Sequence, residues 1–246
     1  MRVIQELIRD DYTFEQARSL QIKYNALNIQ LSEKYYIKEI HSIKTIAGVD
    51  ISYFKKKNQE YGFACAIVWD FKKGQLVDYY FAEDRIMFPY KPGFLGFREC
   101  KLLVEVISKL PEKPDLIMCD GHGKIHPRNF GEAVQLGFAL DIPSIGIAKK
   151  FFIGYLDQKK SKKIKGYKTQ IWAHDPNNLL KKQPNEILGY KICLSNGSRP
   201  VYISAGYKIT LALAIQVSLI STKDHRQPEP LYMADFLSRN EVKKKT

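Results

Sequence analysis

Only four cysteines, at positions 65, 100, 119 and 193, are scattered over 246 residues, and no two form a CxxC pair. That spacing offers neither a zinc ligand set nor a disulfide framework, so each is expected as a small buried thiol. Long apolar runs are missing as well. No stretch approaches the roughly 18 uninterrupted apolar residues of a membrane span, and residues 1–11 mix charges with apolar side chains where a secretory segment would carry an apolar core. A soluble cytoplasmic protein with no membrane partner is therefore expected. Acidic residues are few, 26 against 39 Lys and Arg, which leaves a formal charge of +13. Such an excess favours a polyanionic partner, and nucleic acid before an anionic membrane, because each phosphate contact releases condensed counterions. Repeats and low-complexity linkers are also absent, so residues 1–246 read as one domain, and the 45% hydrophobic content suffices for a large core.

What the chain does have is a short apolar run that ends in reactive groups: Leu116-Ile117-Met118-Cys119-Asp120-Gly121-His122-Gly123-Lys124-Ile125-His126-Pro127-Arg128. Four apolar residues without alternation suit a strand buried on both faces, and the two glycines allow a turn where side chains would clash. Asp120 thus stands at the carboxyl end of a strand, the edge at which open α/β sheets bind ligands.

Upstream, Thr13 is placed to cap a helix in which Phe14, Ala17, Leu20, Tyr24 and Leu27 recur at helical spacing, a packing element. Residues 43–54 read as a strand with Asp50 in its middle. A carboxylate there must be paired, hydrogen-bonded or metal-bound, and local sequence leaves the structural and catalytic explanations open. Residues 63–69 and 76–87 are two more strands, joined by a turn at Lys72-Lys73-Gly74. Pro89-Tyr90-Lys91-Pro92-Gly93 then braces a short loop bearing one aromatic ring, followed by a helix containing Glu99, Leu102, Leu103, Val106 and Ile107. Taken alone, this is a rigid loop entering a helix.

After the organising strand, residues 130–139 have helical character and residues 142–148 form another buried strand ending at Lys149. Three antiparallel strands followed by alternating helices and strands predict an α/β fold with a ribonuclease H-like mixed sheet: a meander, then parallel strands, with flanking helices. That topology sets Asp50 beside Asp120 and brings in Glu99 from the intervening helix. Residues 157–182 are rich in Lys and read either as a solvated insertion or as a phosphate-contacting one. Strands are expected over 187–194 and 200–204, a buried helix over 209–220, and a last segment over 231–237 before a disordered Lys243-Lys244-Lys245 tail.

Ala47-Gly48-Val49-Asp50, Pro89-Tyr90-Lys91-Pro92-Gly93 with Phe97-Arg98-Glu99, Asp120-Gly121-His122-Gly123 with His126-Pro127-Arg128, and Gly146-Ile147-Ala148-Lys149 together resemble the endonuclease V family. Pro200-Val201-Tyr202-Ile203-Ser204 and Pro228-Glu229-Pro230 extend the likeness more loosely. The resemblance implies a nuclease that requires Mg²⁺, with Mn²⁺ able to substitute, and that recognises hypoxanthine (inosine) in DNA or RNA. It implies cleavage at the second phosphodiester on the 3′ side, by a protein acting as a monomer. By the same likeness Asp50, Glu99 and Asp120 bind the metal, and His126 and Lys149 assist catalysis. Tyr90, braced by Pro89, Lys91 and Pro92, wedges into the nucleic acid. Gly93, Leu95 and Gly121 line the base pocket, with His122 a second-tier site residue. Two readings compete: a structure-selective nuclease of the same fold, and an inosine binder that has lost catalysis. The second draws on one departure, Gly206-Tyr207-Lys208 where the family commonly has a histidine, since a phenol titrating near about 10 is a poor substitute ligand.

Overall fold

In the computed structural model, which describes residues 3–31, 35–157, 162–177 and 185–245, the antiparallel meander is formed by β1 (Thr45–Lys56), β2 (Gln59–Asp70) and β3 (Gln75–Arg85). Gly74, with φ +63°, closes the β2–β3 turn as its amide donates to Asp70 O. On the other side of β1, β4 (Leu116–Cys119) and then β5 (Ser144–Ala148) run parallel to it. The sheet continues antiparallel through β8 (Val201–Ala205), β7 (Ile187–Ile192) and β6 (Lys168–Trp172), giving the order β3-β2-β1-β4-β5-β8-β7-β6. The mixed α/β sheet is the expected one, extended by a second antiparallel wing.

Alternation along β1 and β4 divides the core. Ala47, Val49, Ile117 and Cys119 pack against α2 (Leu95–Ile107) and α3 (Glu132–Leu140). Ile46, Leu116 and Met118 pack on the opposite face against α4 (Leu211–Ile220) and α5 (Glu229–Lys243). Asp50 shares the parity of Ile46 and so faces α5, whereas Glu99 belongs to α2 on the other side.

Several expectations are corrected. The Lys-rich stretch is more than a solvated insertion. It contains β6, in which Ile171 is fully buried, and Lys165 donates to Thr222 O at 2.7 Å. β6 escaped notice because an edge strand with one buried residue carries almost no apolar pattern; Lys159, Lys160, Lys181 and Lys182 lie outside the described residues. The terminal lysines are not a loose tail either. α5 runs through Lys243, and Lys245 pairs with Glu83 and lies over the Phe54 and Phe63 rings. Finally, α1 (Phe14–Gln30) starts with Thr13 in a capping box, but its buried stripe is Ala17, Gln21, Tyr24 and Asn28, with Leu27 turned outward. Gln21 takes a core position because its amide is satisfied there, donating to Gly93 O and Phe130 O.

Candidate active site

The last paired residues of β1 and β4 are Val49 and Cys119, in register with each other. The next residue on each chain is an aspartate, so Asp50 and Asp120 are set side by side by strand pairing alone. A third carboxylate comes from α5. Asp50, Asp120 and Asp235 each offer an oxygen within 4.8 Å of the others, a group able to hold a metal ion. Burial, then the charges of Asp120 and Asp235, push the Asp50 carboxyl well above its usual range, with Lys149 opposing. Three half-buried carboxylates crowd in this way only at a cost that a cation removes, and an oxygen-only donor set fits a hard divalent ion.

Lys149, just beyond β5, reaches Asp120 Oδ2 at 2.5 Å and Asp235 Oδ1 at 3.5 Å. Burial works against its ammonium, but the three neighbouring carboxylates outweigh it and raise its pKa. The Arg226 guanidinium steadies the Lys149 backbone by donating to its carbonyl at 2.6 Å. Arg239, one turn beyond Asp235, pairs with it at 2.8 Å, and Ser238 Oγ donates to Asp50 Oδ2 at 3.1 Å.

Asp120 and Lys149 stand between two spaces. One is a cleft of about 500 Å³ that also contains Asp50, Glu99 and Asp235. The other is a cavity of about 420 Å³, lined by Tyr90, Lys91, Pro92, Gly93, Leu95, Gly121 and His122 among others. Tyr90 is 68% exposed at the tip of its loop. Below it the loop is anchored firmly: Phe88, Phe94 and Phe97 are buried, Lys91 Nζ lies 4.4 Å from the centre of the Phe14 ring, and Arg98 donates to Phe88 O. Pro89 is exposed beside Tyr90 and does not line the cavity.

The sequence profile of Endonuclease V matches residues 25–236 of this chain. The chain belongs to the endonuclease V family. Among its relatives, the endonuclease V of Roseiflexus castenholzii is 38% identical over 196 residues, which is 80% of this chain and 81% of that one. The crystal structure of the Bacillus subtilis endonuclease V superposes with a TM-score of 0.85 over the full length of both chains at 27% identity. The Ciona intestinalis endonuclease V, crystallised with a 24mer DNA containing an inosine followed by a ribo-adenosine, shares the fold. Its TM-score is 0.75 at 24% identity, covering 95% of this chain and all of that one. Membership makes the protein a nuclease, and no helix among the described residues is long and apolar enough to cross a membrane.

Within this endonuclease V framework Glu99 stands apart from the aspartate trio. It lines the same cleft, but it arrives from α2 on the opposite face of the sheet and is held by Tyr53 Oη, which donates to its Oε1. Its second partner is Glu132. Burial and the adjacent Glu99 charge raise the Glu132 carboxyl far above its normal range, which favours its protonated form as a donor to Glu99. Glu132 Oε2 has no partner and lies under Gly121, where an added Cβ would come within 1.9 Å of it. Gly121 therefore contributes to the cavity floor by making room for this carboxyl.

His126 is 3% exposed and uses both ring nitrogens on protein groups. Nδ1 accepts from the amides of Arg128 and Phe130, which leaves Nε2–H to donate to Gly93 O at 3.0 Å. Burial pushes it down to about 4. In this structure His126 is a neutral clamp on the loop of Tyr90, and Arg128 and Gln21 donate to the same Gly93 carbonyl. His122, also pushed down to about 4 by burial, stacks on Phe152, and its Nδ1 is buried without a partner. Tyr207 lines neither space: its hydroxyl donates to Asp141 Oδ1 at 2.8 Å and its ring packs on Phe138.

Asp235 is the site residue that sequence reasoning missed. Its signal was present, since Leu231, Ala234, Asp235 and Ser238 recur at helical spacing and place a carboxylate within an inward stripe.

Proposed function

We propose that this chain is a divalent-metal-dependent endonuclease that recognises hypoxanthine in DNA or RNA and hydrolyses the second phosphodiester on its 3′ side, leaving a 3′-hydroxyl and a 5′-phosphate. The observation that carries the proposal is the shared wall of Asp120 and Lys149 between an acidic cleft and a largely apolar cavity under an exposed ring. A strand with its base in the cavity would have its backbone beside the carboxylates.

Asp50, Asp120 and Asp235 would hold the ion, with Glu99 the further acid on the cleft wall. Oxygen ligands suit Mg²⁺ or Mn²⁺. When bound, such an ion polarises the phosphate and lowers the pKa of a coordinated water. The Lys149 ammonium offsets charge developing on the phosphate, while Tyr90 replaces stacking lost by the displaced base, a cost of a few kcal/mol per step. Gly93, Leu95 and Gly121 bring backbone groups close to the base edge. A backbone N–H aimed at the base O6 would accept hypoxanthine and oppose the amino group of adenine.

The complex of the Ciona protein with inosine-containing DNA supports the choice of base, and its ribo-adenosine is compatible with either polymer. The trio lies on one chain, so the site would be complete in a monomer, and four buried free thiols suit the reducing cytoplasm. Tyr207 is engaged with Asp141 and not with the carboxylate trio, and cleavage in Mg²⁺ or Mn²⁺, or its absence in both, separates the active from the impaired reading. The test is nicking of single-stranded DNA, duplex DNA and RNA, each with inosine or adenosine at one site, in Mg²⁺ or Mn²⁺. Equal cutting of inosine and adenosine strands, with preference for branched substrates, would favour the structure-selective reading.

A further inference from the structure

Helix α5 carries a second stripe beside the one that supplies Asp235. Tyr232, Phe236, Arg239 and Lys243 are spaced by four, three and four residues and share one face. Its first half is aromatic: the His225 and Tyr232 rings stack at 3.4 Å between centroids and 11°, and Tyr232 and Phe236 follow at 6.3 Å and 20°. The stack ends at Phe236, which is 47% exposed. Its second half is basic: Arg239 is 60% exposed, and Arg239 and Lys243 border the acidic cleft.

A row of near-parallel rings, half-buried at His225 and Tyr232 and open at Phe236, that continues into basic residues offers ring faces and edges to bases and cations to phosphates, the two components of sequence-tolerant single-strand binding. Position selects which strand. The cavity under Tyr90 lies on one side of Asp120 and Lys149, and α5 borders the cleft on the other. We infer that the His225–Tyr232–Phe236 ladder is a stacking platform for the nucleotides 3′ of the cut, with Arg239 and Lys243 on their phosphates. The polarity rests on the proposed function, because it requires the damaged base in the cavity and the scissile bond 3′ of it. Stacking on the ladder guides the strand past the carboxylates and holds the 3′ product arm.

The experiment uses the full chain in EDTA, so that binding is read without cleavage. Single-stranded oligonucleotides carry one inosine and one 2-aminopurine, either three to five nucleotides 3′ of it or the same distance 5′. The wild-type protein is expected to quench the 3′ probe more strongly than the 5′ probe. Tyr232→Ala with Phe236→Ala is expected to abolish the 3′ quench and weaken binding about tenfold or more. Phe236→Leu, which keeps apolar bulk without a ring, is expected to lose most of the quench while the circular dichroism spectrum stays unchanged. Shortening the 3′ arm is expected to weaken the wild type severalfold and the double variant far less. Unchanged quenching and affinity in the variants would overturn the platform. If quenching depends on the rings but falls equally on both flanks, its polarity is overturned. The base reading fails separately, if wild-type protein with Mg²⁺ or Mn²⁺ cuts inosine and adenosine strands alike.

Discussion

Gly48 of β1 lies directly beneath the backbone of Pro230 at the start of α5, so close that a Cβ at position 48 would come within 2.2 Å of the Pro230 carbonyl oxygen. This approach seats α5 on the sheet, and Asp235 and Ser238 on that helix reach Asp50, two residues beyond Gly48. Gly48→Ala must therefore move the helix backbone. A loss of stability of about 1–3 kcal/mol is expected in urea unfolding, together with a disproportionate loss of nicking, because the displaced helix carries one of the three carboxylates.

Removing a carboxylate should separate stability from activity. Burial and two like charges disfavour the ionised form of Asp50, so Asp50→Asn is expected to leave the metal-free protein at least as stable as the wild type while abolishing nicking. Added Mn²⁺ should raise the melting temperature of the wild type, corresponding to about 2.7 kcal/mol at 100 times Kd. Asp50→Asn and Asp235→Asn should each lose most of that rise in differential scanning calorimetry.

Glu132 gives a pH signature. Its folded-state pKa, like that of Glu99, is raised, so the folded protein binds more protons than the unfolded chain above the ordinary Glu pKa, and stability falls as pH rises through the folded values. Glu132→Gln preserves a donor to Glu99 and cannot ionise. Its stability relative to wild type should improve steadily from pH 5 upward. Glu132→Leu leaves Glu99 short of a donor and should cost about 1–3 kcal/mol.

His126 has the opposite slope. Its folded value of about 4 lies below the unfolded value near 6.5, so the unfolded chain binds the extra proton in between. Its contribution is complete above about 6.5 and is lost as pH falls toward 4, a change of about 3 kcal/mol. His126→Gln keeps a donor for Gly93 O without titrating, and the wild-type advantage over it should shrink across this window in urea titrations.

Tyr90, 68% exposed on an anchored loop, adds little to the fold, and the proposed function assigns it to the displaced base. Tyr90→Ala should leave the melting temperature within about 1 °C, in keeping with the small effect of surface substitutions. It should lower single-turnover nicking of duplex inosine by roughly tenfold to a hundredfold, and Tyr90→Phe should retain most of the rate. A smaller defect on single strands is expected, since little stacking has to be replaced there.

Much of the site was legible because it depends on short-range rules. An unalternating apolar run marks β4, parallel pairing with β1 follows from the order of the elements, and a carboxylate next to each register pair then becomes a neighbour of the other. Proline and aromatic residues marked the loop of Tyr90. The relation of α5 to the sheet was not legible in the same way. A last segment read only as 231–237, with no element assigned, gives no angle or depth, and these depend on the absent side chain at Gly48.

By itself, then, the sequence determined the meander with β4 set beside β1, the adjacency of Asp50 and Asp120, and the family motifs around Tyr90 and Lys149, since periodicity and turn chemistry act within a few residues of each group. Only the tertiary structure decided that Asp235 completes the trio and that Glu99 is held by Tyr53 and set beside Glu132, away from that trio. It also decided that His126 clamps a loop and that Tyr207 bonds to Asp141. Those outcomes depend on which groups bury one another's charge, and that is set by packing between elements far apart in the chain.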